Sequence, residues 1–174
     1  MTGFVGEFGS ELSTRKIITP VANHYRKILK HLPVVQAIAG MSKDPSTKVG
    51  AIAIGKHYSI VSEGLNGFPR GANDLVNERF ERPLKYEWTV HAEANLICNA
   101  AREGHSLDGT TVLITGLPPC TECSKLLIQA GVHEIITTHH PNERWAASCE
   151  RAAEILKECR VQLLYTDELT SLYK

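Results

Sequence analysis

Between residues 90 and 165, three stretches with helical periodicity alternate with three short apolar runs, an order that few folds accommodate. The helical stretches are 90–103, 121–130 and 142–158, and the apolar runs are 110–115, 134–138 and 160–165. Gly104 and Gly131 stand where helices end in a left-handed residue, the conformation that costs glycine least. Such alternation implies a largely parallel sheet with helices on both faces. Ligands of these folds bind where the strands run out and the following helices begin.

Upstream the pattern changes. Residues 48–54 read as a buried strand that pairs with 58–63 across a turn at Gly55-Lys56-His57, so the sheet begins as a hairpin. Before it, 20–30 is helical through Val21, Tyr25, Ile28 and Leu29, and Pro33 restarts a helix with Val34, Val35, Ile38 and Met41 on its apolar side. The stretch Gly64-Leu65-Asn66-Gly67-Phe68-Pro69-Arg70-Gly71 cannot be regular structure, yet it can bring backbone amides to a ligand; an ordinary exposed turn is the plainer alternative. Residues 72–90 read as a long loop with one helical turn, and loops of that length often border a site.

A chain of 174 residues with 43% hydrophobic content fits one domain around one core, placed at 15–174. Residues 1–14 read as a flexible cloning linker, because Glu7-Phe8, Gly9-Ser10 and Glu11-Leu12 match translated restriction sites. Lysine plus arginine and aspartate plus glutamate both number 19, so no charge excess marks the chain for nucleic acid or membrane, and a small-molecule ligand is expected. The chain lacks a long apolar run and a signal pattern, which predicts a soluble, cytoplasmic protein. Five scattered cysteines make a poor disulfide framework. Cys98, Cys149 and Cys159 sit in helical patterns as small core residues, and only Cys120 and Cys123 have metal spacing.

Those two cysteines open a helix, three residues apart, so both sulfurs face one point at the helix's positive end, which favours thiolates. His91 opens the preceding helix. If the two helices pack side by side, His91, Cys120 and Cys123 form a zinc site with one position left for water. Glu93, two residues past His91, then lies within reach of that position as a proton carrier. A structural zinc would need a fourth protein ligand, and no other histidine or cysteine has close spacing to these three.

His91-Ala92-Glu93 followed by Pro119-Cys120-Thr121-Glu122-Cys123 resembles the signature of the cytidine deaminase superfamily. Lys43-Asp44-Pro45-Ser46-Thr47-Lys48-Val49-Gly50-Ala51, Asn66-Gly67-Phe68-Pro69-Arg70-Gly71, Lys85-Tyr86 and Gln129-Ala130-Gly131 are similar, more narrowly, to deoxycytidylate deaminases, a likeness that covers residues 34–138. Leu96 and the run Val112-Leu113-Ile114 depart from the family pattern without touching a ligand position.

The resemblance implies a three-layer α/β/α fold with a five-stranded mixed sheet, and hydrolysis of dCMP to dUMP and ammonia. It implies Zn2+ on His91, Cys120 and Cys123, Glu93 protonating the base at N3 and then the leaving amine, and Asn66 on the sugar hydroxyl. It further implies a homohexamer activated by dCTP and inhibited by dTTP, with Mg2+ on the effector phosphates and an effector site at Gly67, Phe68, Arg70, Gly71 and Lys43. His139, His140, Arg144 and Trp145 are positional suspects for the 5′-phosphate. tRNA adenosine deaminases and single-stranded DNA cytosine deaminases share the metal signature, but a polynucleotide reader needs a basic stripe and stacking aromatics. Balanced charge and 6% aromatic content argue against both. A zinc-stabilised nucleotide-binding regulator without turnover would have no use for Glu93.

Overall fold

A computed structural model describes residues 19–171 of the chain; the linker read at 1–14 lies outside them. Two helices, α1 (Pro20–Leu29) and α2 (Leu32–Gly40), precede the hairpin of β1 (Gly50–Ile54) and β2 (Ile60–Leu65). After a single 3-10 turn (Asn77–Phe80) come α3 (Lys85–Trp88), α4 (Ala92–Glu103), β3 (Thr111–Thr115), α5 (Thr121–Gln129), β4 (Glu134–Thr137), α6 (Ala146–Glu158), β5 (Gln162–Tyr165) and α7 (Thr166–Ser171). The strands form a five-stranded sheet in the order β2-β1-β3-β4-β5. β1 runs antiparallel to both β2 and β3, whereas β3, β4 and β5 are mutually parallel. The sheet is therefore mixed, as the resemblance implies, and the parallel part that the alternation implies is confined to β3, β4 and β5, because the hairpin strand β1, not a crossover strand, occupies the place beside β3.

Alternation along the strands sends side chains to two cores. Ala51, Ala53, Val112, Ile114 and Ile135 meet Ala92, Leu96 and Ala100 of α4, Leu127 of α5 and Leu156 of α6 on one face. Ile52, Ile54, Leu113 and Ile136 meet Ile28 of α1, Val35 and Ile38 of α2, and Leu169 of α7 on the other. Helices cover both faces, which makes three layers. Two glycines set how closely the layers approach. A Cβ on Gly50 would stand 2.6 Å from the carbonyl oxygen of Val35, and one on Gly64 would stand 2.2 Å from that of Ala92 and 2.4 Å from the amide of Leu96. α4 thus lies on the backbone of β2 itself, a contact that fixes where its first turn sits.

Several local expectations are corrected. In α2 the buried side is Val35, Ile38 and Ala39, while Val34 and Met41 face solvent, because the apolar stripe is narrower than the hydrophobic run. Cys149 is buried as a core residue, but Cys98 and Cys159 are exposed. α6 begins at Ala146, after residues 142–145 have turned into the loop that carries Trp145. Among the described residues no helix is long and apolar enough to cross a membrane.

The Gly64 contact yields a paired test. Gly64→Ala should cost about 3 kcal/mol of unfolding free energy, near the upper end for overpacking, because both opposing atoms are backbone. Gly40→Ala, where an added Cβ meets nothing within 4 Å, should instead gain about 0.5 kcal/mol by restricting the unfolded chain. Urea unfolding monitored by circular dichroism measures both, and equal effects at the two positions would show that α4 does not rest on β2 as described.

Candidate active site

Two helix starts supply a group of side chains that could hold a metal ion. His91 is the N-cap of α4 and Cys120 the N-cap of α5, with Cys123 one turn further on. His91 Nδ1 lies 3.5 Å from the sulfur of Cys120 and 3.5 Å from that of Cys123. The three ligand atoms all fall within 4.8 Å of one another. Tetrahedral zinc with Zn–S near 2.3 Å and Zn–N near 2.0 Å requires N···S edges of about 3.5 Å, so this triangle has the dimensions of three corners of a zinc site. The donor set of one imidazole and two thiols is also the one zinc favours.

Electrostatics in the triangle point the same way. The Cys123 thiol donates to Cys120, and with His91 beside it this holds the Cys120 thiol down at about 4, against the opposing effect of burial. Cys123 is pushed up because it is the donor of that pair and is buried. His91 is raised, first by its hydrogen bond to Cys120. Cys123 and His91 thus hold protons toward Cys120 where a divalent cation, which takes thiolates and neutral imidazole, would displace them.

Glu93 stands behind the triangle in the first turn of α4, 3% exposed. Burial pushes its carboxyl up to about 7, so it can hold or release a proton near neutral pH. A cavity of about 70 Å³ opens above it, lined among others by His91, Glu93, Cys120, Asn66, Tyr86 and Trp145. Trp145 stands edge-on to both His91 and Tyr86, with ring centroids 6.1 and 6.3 Å away, and these aromatic rings form a wall suited to a planar ring. Arg82 and Arg144 also line the cavity. Arg82 Nε donates to the hydroxyl of Tyr86 at 3.0 Å, which places one guanidinium beside the aromatic wall.

His91, Glu93, Cys120 and Asn66 therefore share one cavity, with Cys123 completing the metal triangle. The residues read as an effector loop lie outside it. The amide of Gly67 donates to Val90 O at 3.1 Å and its carbonyl accepts from Val90 N at 2.8 Å, so this loop is bonded to the residue preceding His91. Phe68 stacks on Phe80 and meets Trp88 edge-on. Arg70 donates to Asn99 on α4, Lys43 pairs with Asp74, and Gly71 adopts a positive φ of 83°. Of the four phosphate suspects, Arg144 and Trp145 reach the cavity. His139 accepts from Gly116 N, and His140 stacks on Tyr165 and pairs with Asp167.

Asp44, Thr47, Lys85 and Leu117 line the cavity and were not singled out from sequence as its walls. Asp44 belongs to the stretch from Lys43 to Ala51 that resembles deoxycytidylate deaminases, a likeness that assigns it no role, yet its carboxylate is 3% exposed and paired with Lys85 Nζ at 2.6 Å. Burial alone would raise the Asp44 carboxyl, but the hydrogen bond from Lys85 and the amides of Ser46 and Thr47 together hold it below its ordinary value.

A model of the family described as "Cytidine and deoxycytidylate deaminase zinc-binding region" matches residues 26–139, most of the chain. The chain belongs to that family. Its members with similar sequence include an uncharacterised deaminase of Aliivibrio fischeri, 33% identical over 135 residues that make up 76% of this chain and 88% of that one. A probable deoxycytidylate deaminase of Drosophila melanogaster is 37% identical over 147 residues, 73% of this chain and 70% of the other. Among solved structures, the dCMP deaminase of cyanophage S-TIM5 in apo form shares the fold at a TM-score of 0.64, with 24% identity over 80% of this chain and 97% of that chain.

Two measurements follow from the site's geometry. Zinc-loaded protein should carry about one ion per chain; Cys123→Ala should abolish that stoichiometry in atomic absorption and remove the stabilisation that added zinc gives the parent in thermal unfolding. For acid stability, the folded pKa of Asp44 is lowered, so its contribution is present above the unfolded carboxylate value and lost as pH falls through the folded one. The difference in unfolding free energy between the parent and Asp44→Asn should be constant above about pH 5 and shrink below about pH 4.

Proposed function

We propose that this protein deaminates dCMP by hydrolysis, giving dUMP and ammonia with zinc as cofactor. The observation that carries the reading is a buried carboxyl, Glu93, set beside a His-Cys-Cys triangle on the floor of an aromatic-walled cavity. Family membership and relatives named as deoxycytidylate deaminases support the choice of substrate.

His91 through Nδ1, with Cys120 and Cys123, would hold zinc, which when bound acts as a Lewis acid that brings a water ligand to a pKa of about 7. The remaining work belongs to side chains. The cytosine ring sits between Trp145, Tyr86 and His91, with C4 over the triangle. Glu93 takes a proton from the attacking water and delivers it to ring N3, which makes C4 electrophilic. A second proton carried by Glu93 goes to the exocyclic nitrogen; the C4–N4 bond breaks, ammonia leaves and a carbonyl remains at C4. A backbone carbonyl in the turn at Leu117 and Pro118 accepts from the amine before it departs. Arg82 and Arg144, which line the same cavity, meet the 5′-phosphate, whose two charges and oxygen pairs suit guanidinium groups. Asn66 meets the sugar hydroxyl.

The reading extends to regulation. dCTP as activator and dTTP as inhibitor, with Mg2+ on their phosphates, would act in a homohexamer from Lys43, Gly67, Phe68, Arg70 and Gly71. Support for this part is the likeness of the loop and its two backbone bonds to Val90, through which a shift in the loop reaches His91.

The reading is tested on a substrate panel of cytidine, dCMP, dCTP, a tRNA anticodon hairpin and single-stranded DNA, with ammonia release favouring dCMP. Glu93→Gln should retain zinc and bind dUMP but lose ammonia release by at least about a hundredfold, the usual reach of a general acid-base group; near-parent activity would remove Glu93 from the chemistry. At sub-saturating dCMP, dCTP should raise and dTTP lower the rate, and a flat response to both would sink the effector reading.

A further inference from the structure

Asn66 is held by every polar group it has. Its backbone amide donates to Val49 O at 3.1 Å and its carbonyl accepts from Ser42 Oγ at 2.8 Å. In the side chain, Oδ1 accepts from Val49 N at 2.8 Å, which fixes the orientation of the amide. Nδ2 then donates to Thr47 O at 2.9 Å and to Asp44 Oδ2 at 3.3 Å. A primary amide has two N–H donors and an oxygen with two lone pairs. Both donors are spent within the protein and one lone pair is left, so toward the cavity that it lines Asn66 can only accept.

Asp44 is what spends the second donor, and Lys85 is what keeps Asp44 in place. Lys85 Nζ lies 2.8 and 2.6 Å from the two oxygens of Asp44 and 2.7 Å from Ser46 Oγ. An ammonium has three N–H donors, and these three oxygens take them all. Lys85 is 5% exposed, so although it lines the cavity and carries a charge, it has no donor to offer a phosphate. Its partner Asp44 also accepts from the backbone amides of Ser46 and Thr47 at 2.9 and 3.0 Å. The carboxylate is thereby pinned in the position that binds the Asn66 amide.

We propose that Lys85 and Asp44 are positioning residues that make Asn66 an acceptor-only reader of the free 3′ hydroxyl, confining the enzyme to nucleotides not joined to a chain through that oxygen. The inference rests on the dCMP reading above and adds a source of specificity to it. A 2′-deoxynucleotide with a 5′-phosphate has one sugar hydroxyl left, at 3′, and that hydroxyl can donate. A phosphodiester at the same oxygen has acceptors only, so it would set a lone pair against the lone pair of Asn66. A nucleotide inside DNA is then rejected by the direction of one hydrogen bond, independently of surface charge.

The test compares kcat/KM on dCMP and on 2′,3′-dideoxycytidine 5′-monophosphate, which lacks the donor. In the parent, dCMP should be preferred by about tenfold or more, the consequence of leaving a buried acceptor unpaired. In Asp44→Asn/Lys85→Met, which removes both charges and faces the Asn66 amide with a donor, the preference should fall to within about threefold, through loss on dCMP alone. A merely structural role would lower both substrates together and keep the ratio. Asp44→Asn alone, in which the Ser46 and Thr47 amides hold the side-chain oxygen and its nitrogen faces the Asn66 amide, keeps Lys85 and is read in the same way. If the parent deaminates dCMP but shows no preference, or if folded, zinc-loaded variants keep the parent's ratio, the positioning role is overturned and the dCMP reading stands. If the parent releases ammonia from neither nucleotide, both fall together.

Discussion

The triangle of His91, Cys120 and Cys123 draws its partners from sequence positions 29 and 32 residues apart, and its 3.5 Å edges depend on where two helices begin. Each helix start is fixed by backbone rather than by the ligands. α4 is seated on β2 at Gly64, where no side chain fits, and Val90 before it is bonded to Gly67. α5 follows β3 through a short turn and is tied to α6 by Thr121, whose amide and hydroxyl bond to Ser148. The ligand geometry is thus imposed by packing around it, which is how a metal site keeps a position open without relaxing into a closed one.

A second constraint works elsewhere in the lining of the same cavity. A buried ion pair contributes little net stability, because desolvation offsets most of its Coulomb attraction. The Asp44–Lys85 pair is better understood by what it orients. It connects the turn after α2, the start of β1 and the short helix α3, and it fixes the amide of Asn66 that lies between them. The triangle and the Asn66 amide lie on one cavity and are held by separate and independently braced parts of the fold.

The grouping of His91, Cys120 and Cys123 with Glu93 was legible in the sequence because its spacing is local: Glu93 is two positions past His91 and Cys123 three past Cys120, each set at a helix start. The strand and helix alternation was legible for the same reason. What escaped was non-local. Nothing in the sequence pairs Asp44 with Lys85, 41 residues away, and Lys43 beside it looked the better polar candidate although it points outward to Asp74. Hydrophobicity alone could not tell Val35 from Val34, or buried Cys149 from exposed Cys98 and Cys159, since burial there depends on which side of the helix meets the sheet. The hairpin was visible, but the alternation alone did not show that β1 would turn its other edge to β3; the mixed sheet followed from the family resemblance.

The central claim is an open zinc site, with three protein ligands and a fourth position facing Glu93. X-ray absorption at the zinc edge of the metal-loaded protein tests it most directly. The account predicts two sulfur ligands at about 2.3 Å and two nitrogen or oxygen ligands at about 2.0–2.1 Å, one of them exchanged when a cytidine transition-state analogue binds. A shell of three or four sulfurs, or one that stays unchanged when the analogue binds, would mean a closed structural metal and would contradict it.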